Sequence, residues 1–171
     1  MKFGICGADN VGSIPLTQMR KPHCYFLVGL PGSGKSTWAE QRFLMPIVSS
    51  DKWVERLAEQ LGKTYNEAFA DVIKEATLLF NKEIDALVEA RRDFVWDQTN
   101  LNVKTRAGKL SRIKGYDIIA TVFEIESEEL ERRRAGRPEK TIPAHILKSM
   151  ADTYQVPTVD EGFMKVTFVR D

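Results

Sequence analysis

The sequence predicts a doubly wound α/β domain, in which helices cover both faces of a parallel sheet of about five strands. Its main sign is a series of short, unbroken apolar runs, the pattern of strands buried on both faces of a sheet. Helical patterns, with apolar residues every three or four positions, separate these runs. The runs are CYFLVG, PIVSSD, RDFVWD, YDIIATVFEI and GFMKVTFV.

Capping signals predict where the helices begin and end. The stretch Thr64–Glu67 matches a capping box at the start of the longest helical pattern, which continues to Arg91. Gly62 suits the end of the preceding helix. Asn102 and Ser127 are the predicted N-caps of two later helices.

Length and composition limit the number of domains and the kinds of partner that the chain can have. At 171 residues the chain has the size of one domain, which we expect at residues 22–171, after a glycine-rich N-terminal arm at residues 1–21. A formal net charge of +1 excludes bulk attraction to nucleic acid or membranes, so such contacts would need a local patch. Two cysteines give no disulfide framework, and neither a signal peptide nor a membrane-spanning run is present. We expect a cytoplasmic protein without a membrane partner.

The clearest functional motif is GLPGSGKST, Gly29 to Thr37, which lies between the first apolar run and a helix. It fits the phosphate-binding pattern G-x-x-x-x-G-K-[ST] in the strand-to-helix context that the pattern requires. Lys35 would reach the β- and γ-phosphates of a nucleoside triphosphate, and the Ser36 hydroxyl would bind Mg²⁺. The residues expected to bind the nucleotide are Gly29, Pro31, Gly32, Ser33, Gly34, Lys35, Ser36 and Thr37.

Two aspartates end predicted strands, at the sheet edge where open parallel sheets bind ligands. Asp97 ends FVWD and is a candidate for holding Mg²⁺ or its water shell. Asp51 ends PIVSSD and is a candidate general base for an attacking hydroxyl. Either could instead be a turn residue or a helix cap. The neighbouring phosphate loop favours the catalytic interpretation.

Short polar side chains follow Asp97 along the same edge. Gln98, Thr99 and Asn100 could donate hydrogen bonds to phosphate or sugar oxygens of a second substrate. The same residue types also form ordinary strand-to-helix turns, which is the alternative.

An arginine-rich segment, ELERRRAGRPEKTIP, follows the fourth predicted strand. A run of charges usually marks a solvated helix face. P-loop kinases, however, carry at this place a lid that folds over the nucleotide, and a lid arginine neutralises charge on the transferred phosphoryl group. We therefore predict a lid over residues 131–142, with Arg137 as its leading catalytic arginine.

The ordered combination of PGSGKSTWA, SSD, DQTNLN and an arginine-rich lid with IPAHILKSM resembles bacteriophage-type 5′-hydroxyl polynucleotide kinases, over Cys24 to Tyr154. The resemblance implies a P-loop kinase fold and transfer of the γ-phosphate of ATP to the 5′-hydroxyl end of DNA or RNA. It implies that Asp51 is the general base and that Arg133 and Arg137 are lid arginines.

By the same resemblance, Lys35 and Ser36 are the triphosphate and magnesium residues. Asp97, Thr99 and Asn100 would lie in the acceptor site.

The chain also departs from that family. Val54 stands where the phage enzyme has an arginine that grips the acceptor phosphate, and Arg56 is the expected substitute. Trp53 could stack on a terminal base, although its helical spacing with Leu57 favours the core. The phage enzyme carries a further phosphatase domain after its kinase domain, and the sequence up to Asp171 contains nothing of the kind. A separate phosphatase or ligase could act as a partner.

Two alternatives stay open. A zeta-toxin-like kinase for a small hydroxyl compound or a nucleotide sugar uses a similarly placed aspartate. The nucleotide-binding domain of the heterogeneous nuclear ribonucleoprotein U type also has DQTN after a strand, but it is regarded as a binding module and lacks an aspartate corresponding to Asp51.

Basic residues after DQTNLN could line the approach of a nucleic-acid strand or be ordinary surface charge. They are Lys104, Arg106, Lys109, Arg112 and Lys114.

Overall fold

Five parallel strands form one sheet in the computed structural model, which describes residues 20–170. Their order across the sheet is β2-β3-β1-β4-β5. They are β1 (His23–Val28), β2 (Ile47–Ser49), β3 (Phe94–Asp97), β4 (Asp117–Glu124) and β5 (Lys165–Arg170). The predicted α/β class and parallel sheet are confirmed, while the predicted N-terminal arm lies outside the described residues, apart from its last two positions.

Helices connect the strands and cover the sheet. They are α1 (Lys35–Arg42), α2 (Ser50–Gln60), α3 (Tyr65–Glu89), α4 (Val103–Leu110), α5 (Ser127–Ala135) and α6 (Ala144–Asp152). Thr64 and Glu67 form the predicted capping box of α3, and the Asn102 side chain accepts from the Thr105 N–H at 2.8 Å. Ser127, predicted as a cap, is instead the first residue of α5, because Glu126 holds the extended N-cap position. Within residues 20–170, no helix has the length and apolar character needed to cross a membrane.

Both faces of the sheet are buried, as the unbroken apolar runs predict. On one face, Phe26 of β1 packs with Trp96 of β3 and Phe80 of α3. On the other face, Leu27 clusters with Ala39 of α1 and other apolar side chains. Because strand side chains alternate between faces, consecutive residues of β1 enter opposite cores.

The strand order determines where a ligand can bind. β1 pairs with β3 on one side and with β4 on the other, and the chain leaves β1 through the loop at Gly29. Asp97 ends the adjacent β3, and Asp51 lies one residue into α2, directly after β2. Since all strands run parallel, the carboxyl ends of these three strands meet at one edge of the sheet.

A fully buried arginine and its largely buried carboxylate partner support the loop after β3. Arg106 of α4 has no exposed surface, and its guanidinium donates to both carboxylate oxygens of Glu161 at 2.7 and 2.8 Å. It also donates to the carbonyls of Asn100, Leu101 and Gln155. The surface role considered for Arg106 is therefore wrong: this residue ties the loop after β3 to the turn before β5.

Replacing Arg106 with methionine is expected to lower the free energy of unfolding by about 3–5 kcal/mol, because it leaves the Glu161 carboxylate and three carbonyls without their buried partner. Urea denaturation measures the change. The matched control is Lys104→Met on the exposed face of the same helix, which should change stability by less than about 0.5 kcal/mol. Similar losses in the two variants would contradict the role given to Arg106.

Candidate active site

The phosphate loop curls tightly between β1 and α1. Gly32 and Gly34 adopt left-handed backbone angles, with φ of 88° and 89°. A Cβ atom at Gly32 would also lie 3.0 Å from the Arg134 side chain, so a larger residue would be both strained and crowded. The loop can therefore present its N–H groups inward to phosphate oxygens.

Lys35 folds back over this loop. Its Nζ donates to the carbonyls of Gly29 and Leu30 at 3.0 and 2.8 Å, and only 8% of the residue is exposed. Burial lowers the pKa of Lys35 to about 8, although the nearby charges of Asp97 and Asp51 act in the opposite direction. An incoming triphosphate would supply the missing negative charge.

Nucleotide affinity is expected to fall as the pH rises above about 8. With the pKa of Lys35 lowered to about 8, the empty loop holds an ammonium below that pH and loses its proton above it. Phosphate oxygens bind the protonated form, so binding at higher pH must take up a proton and weakens by up to about tenfold per pH unit. Calorimetric titration with a non-hydrolysable ATP analogue, in two buffers of different ionisation enthalpy, measures both effects. A Lys35→Arg variant, whose side chain stays charged, should show neither effect, and a flat wild-type profile would contradict the prediction.

Ser36 and Asp97 form a pair of oxygen ligands beside the loop. The Ser36 hydroxyl donates to Asp97 Oδ2 at 2.6 Å, and Asp97 is only 4% exposed. Burial raises the pKa of Asp97 against the opposing effects of Ser36 and Lys35. Mg²⁺ prefers hard oxygen ligands and usually binds through one or two protein groups together with substrate phosphates and water. A hydroxyl and a carboxylate in contact fit that requirement.

One cavity of about 1050 Å³ joins the phosphate loop to the lid. Its walls come from the loop, the ends of β2 and β3, the start of α3, the lid segment and α6. The sequence-predicted site residues that line it are Pro31, Gly32, Gly34, Lys35, Ser36, Thr37, Asp51, Asp97, Thr99 and Arg137. Side chains from three strand ends and the lid therefore face the same space.

Asp51 faces this cavity from the first turn of α2, and its side chain is about half exposed, at 54%. The Tyr65 hydroxyl donates to its Oδ1 at 3.3 Å, and Lys140 Nζ donates to its Oδ2 at 2.8 Å. Lys140 also pairs with Glu55 at 3.0 Å. Burial alone would lower the pKa of Lys140, but the two carboxylates raise it, so this lysine stays charged beside Asp51.

The side chain of Asn66 joins the lid to α3. Asn66 donates to the Pro138 carbonyl at 3.2 Å and accepts from the Thr141 N–H at 3.0 Å. Within the lid helix, Arg133 donates to Glu129 at 2.6 Å, and its guanidinium lies over Gly34, 3.2 Å from where a Cβ would be. Arginines of the predicted lid segment therefore lie against the phosphate loop.

Comparison with protein families agrees with the fold described above. The model of AAA_33, described as an AAA domain, matches residues 25–157. The chain belongs to this AAA domain family. Its fold is that of a P-loop kinase.

A curated relative of this AAA domain is the bifunctional polynucleotide phosphatase/kinase of Schizosaccharomyces pombe, which is 27% identical over 146 residues, or 82% of the chain. The chain spans 31% of the length of that relative. A protein in the solved structure of the Pnkp1/Rnl/Hen1 RNA repair complex is also 27% identical, with a TM-score of 0.61, over 78% of this chain and 44% of that one.

Less similar solved structures share the fold alone. A candidate kinase of Chloroflexus aurantiacus has a TM-score of 0.68 at 16% identity, over 89% of this chain and 86% of that one. A sugar kinase of Janibacter sp. has a TM-score of 0.57 at 17% identity, over 88% of this chain and 86% of that one. These likenesses show the fold and identify neither an activity nor an acceptor.

Two residues expected in the acceptor site do not line the cavity of the AAA domain. Asn100 is 1% exposed and donates to the Leu27 carbonyl at 2.7 Å, so it supports the loop after β3 from within. The Arg56 guanidinium lies 4.9 Å from the centroid of the Trp53 ring, because five helical positions turn it away from Asp51. Trp53 itself packs on the core and donates to Glu83, as its spacing indicates.

Several cavity residues were not predicted from sequence as site residues. Tyr65 and Phe69 of α3 and Ile146 and Met150 of α6 form an apolar part of the wall. Their four-residue spacing is that of core-facing helix residues, which is how such a pattern is normally interpreted. Phe69 and Ile146 are nevertheless 40% and 39% exposed, so they face the open cavity.

Proposed function

We propose that this chain transfers the γ-phosphate of ATP to the 5′-hydroxyl end of a DNA or RNA strand. The observation that carries the proposal is that Asp51 and Lys35 line one cavity, so that a carboxylate faces the space beside the phosphate loop. A protein that only binds nucleotide has no need of that carboxylate. The names of the polynucleotide phosphatase/kinase and of the RNA repair complex support the choice of acceptor.

Each residue has a distinct part in binding the donor. Lys35 exchanges the carbonyls of Gly29 and Leu30 for β- and γ-phosphate oxygens. Ser36 and Asp97 would hold Mg²⁺, which supplies positive charge to the phosphates when bound. Arg137, which lines the cavity from the lid, neutralises charge on the transferred group.

Asp51 acts on the acceptor. As the 5′ oxygen forms its bond to the γ-phosphorus, the carboxylate accepts the hydroxyl proton, the bond from the γ-phosphorus to the bridging oxygen breaks, and ADP leaves. Tyr65 and Lys140 each hold one oxygen of Asp51. Since a carboxylate has about four lone-pair sites, it can still accept the acceptor hydroxyl while these two partners fix its orientation.

The shape of the cavity favours a nucleotide over a polyol as acceptor. Its volume of about 1050 Å³ has room for a second substrate beside the triphosphate. Tyr65, Phe69, Ile146 and Met150 give part of its wall an aromatic and aliphatic surface. A nucleobase can stack on such a surface, whereas a sugar or polyol would leave its hydroxyls without hydrogen-bond partners there.

A small hydroxyl compound or nucleotide sugar is the second candidate acceptor. The observation that favours it is the docked lid, because Asn66 fastens the segment from Pro138 to Thr141 against α3. A lid closed in this way encloses a small acceptor readily, whereas a strand would have to leave through an open side.

A panel of acceptors tests the proposal. Protein with Mg²⁺ and γ-labelled ATP is incubated with 5′-hydroxyl DNA and RNA oligonucleotides, nucleosides, gluconate and a nucleotide sugar. We expect label at the 5′ end of the oligonucleotides and none on matched oligonucleotides that already carry a 5′-phosphate. Transfer to small compounds alone would establish the second candidate. ATP binding without transfer to any acceptor would indicate a binding module.

A further inference from the structure

Lys109 places an ammonium group in the cavity wall without a carboxylate partner among residues 20–170. Its Nζ donates to Asn100 Oδ1 at 2.6 Å and lies 5.9 Å from the centroid of the Trp96 ring. An ammonium group has three donors, so this amide satisfies only one of them. Lys109 lines the cavity, and so does Thr99, the residue before Asn100.

The surroundings of Lys109 do not balance its charge. Burial lowers its pKa to about 8, and no acidic side chain among the residues that the structure describes acts against that effect. Lys140, in the same cavity, differs because Asp51 and Glu55 raise its pKa. A partly buried cation without a carboxylate partner is unfavourable in the ligand-free protein. A bound anion would compensate the charge of Lys109.

Lys109 is separate from the site for the donor phosphates. Lys35 Nζ donates to carbonyls of the phosphate loop, whereas Lys109 Nζ donates to Asn100 in the loop after β3. The donor triphosphate already has Lys35, the loop N–H groups and the lid arginines. Lys109 therefore marks a second anion-binding position in the cavity, on the side of the loop after β3.

Three basic side chains of α2 and the lid already have partners. Lys140 pairs with Asp51 and Glu55, Lys52 pairs with Glu40, and Arg56 stacks on Trp53.

We propose that Lys109 binds a phosphodiester oxygen of the acceptor strand, next to its 5′-terminal nucleoside. This assignment rests on the proposed function, because it makes the second anion part of the acceptor. A lysine is a compact point charge that binds a phosphate without reading the base or the sugar, so the contact would serve DNA and RNA alike. This contact would make the protein bind the 5′ end of a strand more tightly than a free nucleoside.

A binding experiment tests Lys109 independently of transfer. Protein loaded with a non-hydrolysable ATP analogue and Mg²⁺ is titrated with a nucleoside 3′-monophosphate and with the matching nucleoside. We expect the wild type to bind the monophosphate about tenfold or more tightly than the nucleoside, as one charge-assisted hydrogen bond allows. Lys109→Met should bring this ratio close to one. The matched control Lys104→Met, on the exposed side of the same helix, should keep it.

Two further variants separate charge from local structure. Lys109→Gln retains a donor for Asn100 but has no charge, so it should lose the preference as the methionine variant does. Lys109→Arg retains the charge and should keep most of the preference for the monophosphate. A preserved ratio in the methionine and glutamine variants, or no preference in the wild type, would overturn the proposal.

The transfer assay distinguishes a failure of Lys109 from a failure of the proposed function. Wild-type protein that phosphorylates no 5′-hydroxyl end contradicts the proposed function, while the binding ratio still decides the role of Lys109. If the wild type transfers phosphate but the variants keep the ratio, the proposed function stands and Lys109 has no part in acceptor binding.

Discussion

Replacing Arg137 with alanine is expected to slow phosphoryl transfer by about three to five powers of ten, the range found for arginines that neutralise a transferred phosphoryl group. Arg137 lines the cavity from the lid, and its side chain has no ion pair or hydrogen bond within the described part of the chain. It is therefore available to contact the γ-phosphate. Single-turnover transfer from labelled ATP to a 5′-hydroxyl oligonucleotide measures the effect.

The control for this variant is Arg132→Ala. Arg132 lies on α5, which ends two residues before Arg137, and its side chain is 79% exposed and pairs with Glu129. Its loss should leave the rate within about threefold. Arg134→Ala gives a further comparison, because Arg134 also lines the cavity and packs against Gly32. A larger loss in the Arg134 variant than in the Arg137 variant would mean that the wrong lid arginine has been assigned.

Replacing Asp51 with alanine is expected to lower the rate of transfer by about two to four powers of ten, the usual contribution of a general base. ATP affinity should stay within about twofold of the wild type, because a base acts on the transition state and not on nucleotide binding. The variant should also remain folded, since Lys140 keeps Glu55 as its partner. Rapid-quench transfer and equilibrium binding of an ATP analogue measure the two quantities.

Two companion variants sharpen the result for Asp51. Asp51→Asn retains the shape and one acceptor oxygen for Tyr65 or Lys140, so a loss equal to that of the alanine variant would identify the missing function as proton acceptance. Glu59→Gln, an exposed carboxylate further along α2, should transfer at the wild-type rate. Wild-type transfer by the Asp51→Ala variant would refute the assigned role.

The fold could be predicted from sequence because its signals are local. The apolar runs identified every strand of the described sheet, and the capping residues Thr64 and Asn102 have the predicted contacts. The phosphate loop could be predicted equally well, because its glycines and Lys35 form one continuous motif. The strand before it and the helix after it are also visible in the sequence. Ser127 was misplaced by one position, which is the scale of error expected where a helix begins.

The acceptor side could not be predicted in the same way, because its wall is assembled from elements far apart in the chain. Arg106 and Lys109 are both basic residues of α4, yet one is fully buried and the other reaches the cavity. The difference depends on Glu161, which lies 55 positions beyond Arg106. Lys140 likewise contacts Asp51 only because the lid returns across α2 and α3. The spacing of apolar residues along the chain does not indicate which distant side chains come into contact.

The most direct measurement is the structure of a ternary complex with a non-hydrolysable ATP analogue, Mg²⁺ and a short 5′-hydroxyl oligonucleotide. The account predicts that a carboxylate oxygen of Asp51 lies about 2.6–3.2 Å from the 5′ oxygen, with that oxygen directed at the γ-phosphate. An Asp51 side chain that contacts only Tyr65 and Lys140, while another group approaches the 5′ oxygen, would contradict it.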